Sequence, residues 1–119
     1  MKRIMNNKKE EKKMKKIYLV NDYDLSWDGD KLILDTIYDG GITIGSYDTK
    51  EEAIKDAIRY IRDFNNDIRC DCEEDEELRR EVWMVDDKVL EKSDFSKPIT
   101  YYMRGNKEWS VIEIICIEV

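Results

Sequence analysis

The hydrophobic period of the chain changes at Thr49, and this change limits the class of fold. From Lys50 to Phe64, apolar residues recur every three or four positions, which predicts an amphipathic helix with one buried face. Thr49-Lys50-Glu51-Glu52 has the pattern of a capping box, in which the Thr hydroxyl and the Glu carboxylate accept from N–H groups at the helix start. We expect the helix to begin at Lys50 and to end at Asn65-Asn66-Asp67.

Short apolar runs on both sides of this helix predict strands. The runs are Lys16 to Val20, Leu32 to Tyr38, Ile42 to Ser46, Ile99 to Met103 and Trp109 to Val119. Asn21 to Asp30 is rich in turn-forming residues, so we expect a turn there. Glycines at Asp39-Gly40-Gly41 and Arg104-Gly105-Asn106-Lys107 predict two hairpins. Ile114 to Ile117 lacks alternation, which indicates a strand that is central or covered on both faces.

The segment that follows the helix has two interpretations. Leu78, Val82, Val85 and Val89 recur at helical spacing, and the acidic run at 73–77 suits a helix N-terminus, so we favour a second helix. Alternatively, Glu81 to Val85 is a strand that turns at Asp86-Asp87. The resulting order, β-β-β-α-(α)-β-β, predicts an α+β fold: an antiparallel sheet of about five strands with one or two helices on one face.

The charge is divided unevenly along the chain. Residues 1–16 hold eight Lys or Arg and two Glu, whereas residues 17–119 hold 13 basic and 26 acidic residues. We therefore expect a basic, flexible tail over 1–16 and a single acidic domain over 17–119. No apolar run reaches the roughly 20 residues of a membrane span, and no apolar segment of a secretory signal follows the basic start. We expect a cytoplasmic protein.

The residue types exclude several kinds of catalytic site. The chain has no His, which excludes Ser–His and Cys–His nucleophile pairs. Cys70 and Cys72 are too few for a structural zinc site, which needs four ligands, and we expect Cys116 to pack in the core. We expect no cofactor and no enzymatic activity.

One segment resembles a metal-binding loop. Asp24, Ser26, Asp28 and Asp35 stand at positions 1, 3, 5 and 12 of a twelve-residue stretch, with Gly29 at position 6, as in the calcium loop of the EF-hand family. Asp30 lies within the same stretch. The resemblance implies a divalent-metal- or ligand-responsive domain that uses the loop Asp22 to Asp35. However, position 12 is Asp rather than Glu, position 8 is Lys31, and the flanks read as strands.

The other interpretation of this segment is a β-hairpin that turns at Asp28-Gly29. In that case Asp22, Asp24 and Asp30 would be solvated carboxylates on its surface.

A second short motif resembles a nuclease element. Asp86-Asp87-Lys88 is similar to the D/E-x-K element of restriction-type nucleases, which implies a carboxylate-only metal nuclease. No second acidic strand residue is evidently placed to complete that site. An acidic body would also repel a nucleic-acid substrate.

The acidic residues after the helix are the candidate partner-binding site. They are Asp71, Glu73, Glu74, Asp75, Glu76 and Glu77, together with Asp86 and Asp87. We expect a small non-enzymatic protein that engages a basic site on another protein, such as a nucleic-acid-binding enzyme, without binding nucleic acid or membrane itself. In size, charge and lack of catalytic groups it resembles small acidic inhibitors, including DNA-mimicking phage proteins with anti-defence roles. The alternative for these residues is a solvated helix start.

Overall fold

The computed structural model describes residues 15–28, 31–34, 42–105 and 108–119, and they form the predicted α+β fold. In these ranges, six strands build an antiparallel sheet and three helices accompany it. The strands are β1 (Lys16–Asp28), β2 (Lys31–Leu34), β3 (Ile42–Tyr47), β4 (Val82–Met84), β5 (Ile99–Arg104) and β6 (Glu108–Glu118). The helices are α1 (Lys50–Glu74), α2 (Glu76–Glu81) and α3 (Asp87–Lys92).

The first and last strands are neighbours at the centre of the sheet. The strand order is β2-β1-β6-β5-β4, and β3 also pairs with β1. β1 and β6 run antiparallel from the Lys16–Glu118 pair to the Ser26–Glu108 pair. The predicted hairpin between β5 and β6 is confirmed, with Arg104 opposite Glu108. The expected central position of the last strand is confirmed as well.

The turn predicted for Asn21 to Asp30 is wrong over the residues described. β1 continues to Asp28, and Asp28 lies opposite Lys31 of β2, as in the hairpin interpretation. Polar Asp22, Asp24 and Ser26 alternate with apolar residues. This period of two favours a strand, and it outweighs the turn preference of the individual Asp residues.

The predicted hairpin between the second and third strands is not the pairing that forms. Within the described ranges, β2 and β3 both pair with one edge of β1, opposite Leu25 to Asp28 and opposite Tyr18 to Asp22 respectively. Its expected turn, Asp39-Gly40-Gly41, lies outside the described residues. β2 and β3 therefore follow one another along a single edge.

Helix α1 is longer than predicted, because it passes through Asn65-Asn66-Asp67 to Glu74. Its apolar stripe continues at Ile68 and Cys72, and Asn65 is itself buried in that stripe. Burial of one helix face therefore outweighs the weak helix propensity of Asn and Asp.

The capping box at the start of α1 is formed in part. The Thr49 hydroxyl oxygen accepts the Glu52 N–H at 3.2 Å, as predicted. The Glu52 carboxylate, in contrast, accepts from the Thr49 hydroxyl rather than from a backbone N–H.

The single helix favoured for Leu78 to Val89 is wrong. The chain instead forms α2, the short strand β4 and then α3. Val82 lies opposite Arg104 and Met84 opposite Tyr102, so β4 extends the sheet beyond β5. The strand alternative for Glu81 to Val85 is the better description.

The core lies between α1 and the sheet. Ala53, Ala57 and Ile61 of α1 pack with Val20 of β1 and Ile112 of β6, and all five are fully buried. Cys116 is exposed, which contradicts its expected place in the core. The residues of β6 that follow Ile115 are all exposed.

Phe95 stands between α3 and β5 with a positive φ of 60° and a side chain that is 1% exposed. A non-glycine residue in this region is strained, by about 1–3 kcal/mol. The Phe95 carbonyl oxygen accepts the Ile114 N–H at 2.8 Å. Burial of the ring and this hydrogen bond to β6 together offset the strain.

Candidate functional site

The acidic segment, defined as residues 71–77, joins α1 to α2. Asp71, Glu73 and Glu74 end α1, and Asp75, Glu76 and Glu77 begin α2; all six carboxylates are exposed. The structure thus places together the first six predicted partner-binding residues. Cys72 between them is buried, and Cys70 is exposed.

Two carboxylates of the acidic segment have local structural roles. Asp75 caps α2, because its Oδ1 accepts the Leu78 N–H at 3.1 Å. Glu76 Oε1 forms an ion pair with Arg80 Nη2, one helical turn further along α2, at 3.1 Å. Among the described residues, Asp71, Glu73, Glu74 and Glu77 have no ion-pair or hydrogen-bonding partner for their side chains.

The last turn of α1 is an unfavourable place for negative charge. The C-terminal end of a helix carries a partial negative charge, so a carboxylate there costs about 0.3–1 kcal/mol. This turn contains no basic residue. The carboxylates of Glu73 and Glu74 therefore oppose the stability of α1.

Asp86 and Asp87, the other two predicted partner-binding residues, have partners within the fold. Asp86 caps α3 by accepting the Lys88 N–H at 2.8 Å. Asp87 accepts two hydrogen bonds from Arg62, at 2.7 and 3.0 Å. The Arg62 guanidinium lowers the pKa of the Asp87 carboxyl. Asp87 shares the Arg62 guanidinium with Glu91, so it is engaged within the fold. The segment that resembles a nuclease element coincides with the start of α3.

The described residues of the segment that resembles a calcium loop, 24–28 and 31–34, lie in the extended strands β1 and β2. Asp24, Ser26 and Asp28 lie in β1, where Ser26 is paired with Ile33 and Glu108. Asp30 and Asp35 lie outside the described residues. In the described ranges, no group of three or more Asp, Glu or Cys residues is placed to hold a metal ion.

A second candidate site, the Asp22 cleft, lies between α1 and the sheet. It is a cavity of about 350 Å³. Its lining includes three carboxylates, those of Asp22, Asp24 and Glu108, and four aromatic rings, those of Tyr60, Phe64, Tyr101 and Tyr102. Ile42, Ile68 and Ser110 complete the lining among the described residues.

Asp22 is held by two tyrosines. The Tyr60 hydroxyl donates to its Oδ2 and the Tyr101 hydroxyl to its Oδ1, each at 2.7 Å. Across the sheet, Asp22 lies between Ile42 and Ile112, and it is half-buried. This burial, together with the nearby charge of Asp24, raises the pKa of Asp22 despite the two hydrogen bonds.

Asp24 lies on the same face of β1, two residues further along. Ser110, its partner on β6, donates its hydroxyl to Asp24 Oδ1 at 2.9 Å. Residues two apart on a strand point to the same side and are about 7 Å apart. The carboxylates of Asp22 and Asp24 therefore lie next to each other on the floor of the cleft.

A β-bulge places two consecutive tyrosines in the cleft. Thr100 pairs with Val111 and Tyr102 with Ser110, so Tyr101 is an extra residue in β5. Tyr101 and Tyr102 consequently both face α1. Each ring packs edge to face against Phe64, with distances between ring centroids of 5.4 Å for Tyr101 and 5.1 Å for Tyr102. Residue alternation alone would put them on opposite faces, so no sequence signal identifies this pair.

No protein-family model, curated protein or solved structure matches this chain. Among the described residues, no helix is both long enough and apolar enough to cross a membrane.

Proposed function

We propose that the protein is a small non-enzymatic binding protein whose acidic segment engages a basic surface on another protein. The observation that carries this proposal is the position of Asp71, Glu73 and Glu74. They are exposed, lack partners among the described residues and stand at the helix end where negative charge costs stability. A cost that brings no gain within the fold is typical of residues used for binding.

The charge of the domain indicates the kind of partner. Residues 17–119 carry twice as many acidic as basic residues, which repels nucleic acid and attracts basic surfaces. Basic surfaces of this kind occur on proteins that handle nucleic acid. The proposed role is that of a cytoplasmic inhibitor or nucleic-acid mimic, of the type found among anti-defence proteins. Opposite charges would accelerate association and make it dependent on salt.

The structure refines the choice of mutations that test this proposal. Asp75 should be kept because it caps α2. The test variant is Glu73→Lys, Glu74→Lys and Glu77→Lys. The matched control is Asp63→Lys, Asp67→Lys and Glu118→Lys, three exposed residues outside the segment. Both variants change the net charge by the same amount.

Partners are first captured from host lysate at about 50 mM salt and released at about 500 mM, a range over which screening becomes strong. Association rates of the captured protein are then measured with each variant. We expect the test variant to associate at least tenfold more slowly and with a weaker salt dependence, and the control to change little. Equal effects of both variants would show that the net charge of the whole domain, rather than the acidic segment, controls association. Unchanged rates for a folded test variant would show that the segment is a solvated surface.

A further inference from the structure

Two carboxylates of the Asp22 cleft, those of Asp22 and Asp24, have no positive group beside them among the described residues, whereas the exposed Glu108 lies opposite Arg104. Three of the ten described lining residues are carboxylates, and none is Lys or Arg. Tyr60 and Tyr101 supply hydrogen bonds to Asp22 but no charge. Asp22 and Asp24 are half-buried, and charges that are withdrawn from water in proteins are normally paired. The cleft is therefore electrostatically suited to a cation that the described chain does not provide.

The walls of the cleft indicate which kind of cation. Of the four aromatic rings that line it, those of Tyr60 and Phe64 are half-buried and those of Tyr101 and Tyr102 are almost fully buried. An accessible aromatic face attracts an organic cation placed within about 6 Å of its centre. A volume of about 350 Å³ is far larger than a single metal ion requires, and it falls within the range of small-molecule sites. The described residues also lack three converging metal ligands. Both observations favour an organic cation over a divalent metal.

We infer that the Asp22 cleft is a binding site for a primary ammonium or guanidinium group. The floor, Asp22 and Asp24, would accept its N–H groups, since a carboxylate oxygen that already accepts one tyrosine hydroxyl retains a second lone pair. Tyr60, Phe64 and Tyr102 would contact its alkyl or planar part. The inference rests on the cavity and its aromatic walls together with the charge, and it is independent of the acidic segment.

Two sources supply this chemistry: a free amine such as a polyamine, and a Lys or Arg side chain of a peptide. The full chain is titrated calorimetrically with spermidine and agmatine as free cations, and with N-acetyl-lysine amide and N-acetyl-arginine amide as side-chain models. Neutral counterparts are N-acetyl-citrulline amide and the lysine model acetylated at Nε. Mg²⁺ and Ca²⁺ are titrated separately.

We expect saturable binding of cationic probes with dissociation constants at or below about 1 mM, and at least tenfold weaker binding of the neutral counterparts. Preference for spermidine and agmatine would assign the site to free amines. Preference for the amino-acid models would assign it to a basic side chain.

Asp24→Asn is the principal variant, because the amide oxygen can still accept from Ser110 while the charge is lost. We expect it to weaken cation binding about tenfold. Phe64→Leu, which removes a wall but no charge, should weaken it severalfold. Glu113→Gln is the matched control: its carboxylate also accepts a tyrosine hydroxyl, from Tyr23 at 3.1 Å, but on the opposite face of the sheet. It should leave binding unchanged.

Absence of saturable binding by every cationic probe would overturn the inference. So would equal binding of neutral probes, unchanged binding by Asp24→Asn, or saturation by Mg²⁺ or Ca²⁺ in preference to organic cations. Circular dichroism and the unfolding midpoint verify that each variant is folded. If Asp24→Asn does not fold, the inference is tested by Phe64→Leu and by the comparison of charged with neutral probes.

Discussion

Asp22 shows how one residue can be important and yet be missed in the sequence. It stands in an Asp-rich stretch that suggests a surface turn, and we expected it to be solvated. The strand instead directs it under α1, where Tyr60 and Tyr101 donate to it. The alternation of polar and apolar residues around Asp22 was a usable signal for the strand. Its tyrosine partners are 38 and 79 residues away, and no local pattern relates them.

The raised pKa of Asp22 predicts a measurable pH dependence. As the pH rises from about 3.9, the unfolded chain releases the proton of the Asp22 carboxyl before the folded chain does, because the folded pKa is higher. The stability that Asp22 contributes is therefore lost as the pH rises through its folded pKa. Asp22→Asn removes this effect. We expect its unfolding free energy, relative to that of the parent, to increase between pH 4 and pH 7. Urea denaturation at both pH values measures the difference.

Lowered pKa values at Asp87 and Asp94 act in the opposite direction, but they are common to both proteins and cancel. A difference that shrinks as pH rises would show that hydrogen bonding, rather than burial, controls the titration of Asp22.

Tyr60 and Tyr23 offer a matched pair of tyrosine–carboxylate contacts. The Tyr60 hydroxyl donates to Asp22 at 2.7 Å inside the cleft, and that of Tyr23 donates to Glu113 at 3.1 Å on the other face. We expect Tyr60→Phe to lower the unfolding free energy by about 1.5–3 kcal/mol and Tyr23→Phe by about 0.5–1 kcal/mol. Chemical denaturation gives both values. Equal losses would mean that burial of Asp22 adds nothing to its hydrogen bond.

At the scale of elements, the start of α1 could be predicted and its end could not. The Thr49 cap and the apolar stripe are local features of the sequence. Whether Asn65-Asn66-Asp67 ends the helix depends on what its side chains meet. Asn65 is 3% exposed and lies in the buried stripe, so tertiary packing carries the helix past a local breaker. The same competition explains β4, because Val82 to Met84 pair with β5, and the sequence around Val82 does not reveal this long-range pairing.

The two ends of α1 should respond oppositely to loss of charge. Glu73→Gln with Glu74→Gln removes negative charge from the C-terminal end, and each change should raise the unfolding free energy by about 0.3–1 kcal/mol. Glu51→Gln removes it from the first turn and should lower the unfolding free energy by a similar amount. Thermal and urea unfolding at low salt measure both. Destabilisation at both ends would remove the energetic argument for a binding role of the acidic segment.

At the scale of the molecule, the fold class could be predicted but the strand pairing could not. Alternating runs on both sides of one strong helix suffice for an α+β sheet. The attachment of both β2 and β3 to one edge of β1 depends on a long-range choice between partners. The two candidate sites differ in the same way in how far the sequence predicts them. The acidic segment is contiguous in sequence, whereas the cleft is assembled from β1, β3, α1, β5 and β6.

The central position of β6 predicts a strong effect of shortening it. Deletion of residues 115–119 removes the pairs that Ile115 to Glu118 make with Lys16 to Leu19. Four lost ladder positions, at about 1 kcal/mol each, should cost about 4 kcal/mol. The unfolding midpoint of the truncated chain measures the loss. Removal of Val119 alone loses its two backbone hydrogen bonds with Lys15, and it therefore measures the part of the loss that is not due to these four pairs. A midpoint unchanged by the five-residue deletion would show that these pairs contribute little.

The pairing of the first strand with the last also bears on how the chain is made. During synthesis β1 emerges from the ribosome long before β6, so its central edge has no partner until translation has passed Glu118. An exposed strand edge is prone to pair with other chains. At about 5–20 residues per second, the 79 residues between the two strands take about 4–16 seconds. The rate of translation therefore sets how long the nascent chain is open to aggregation.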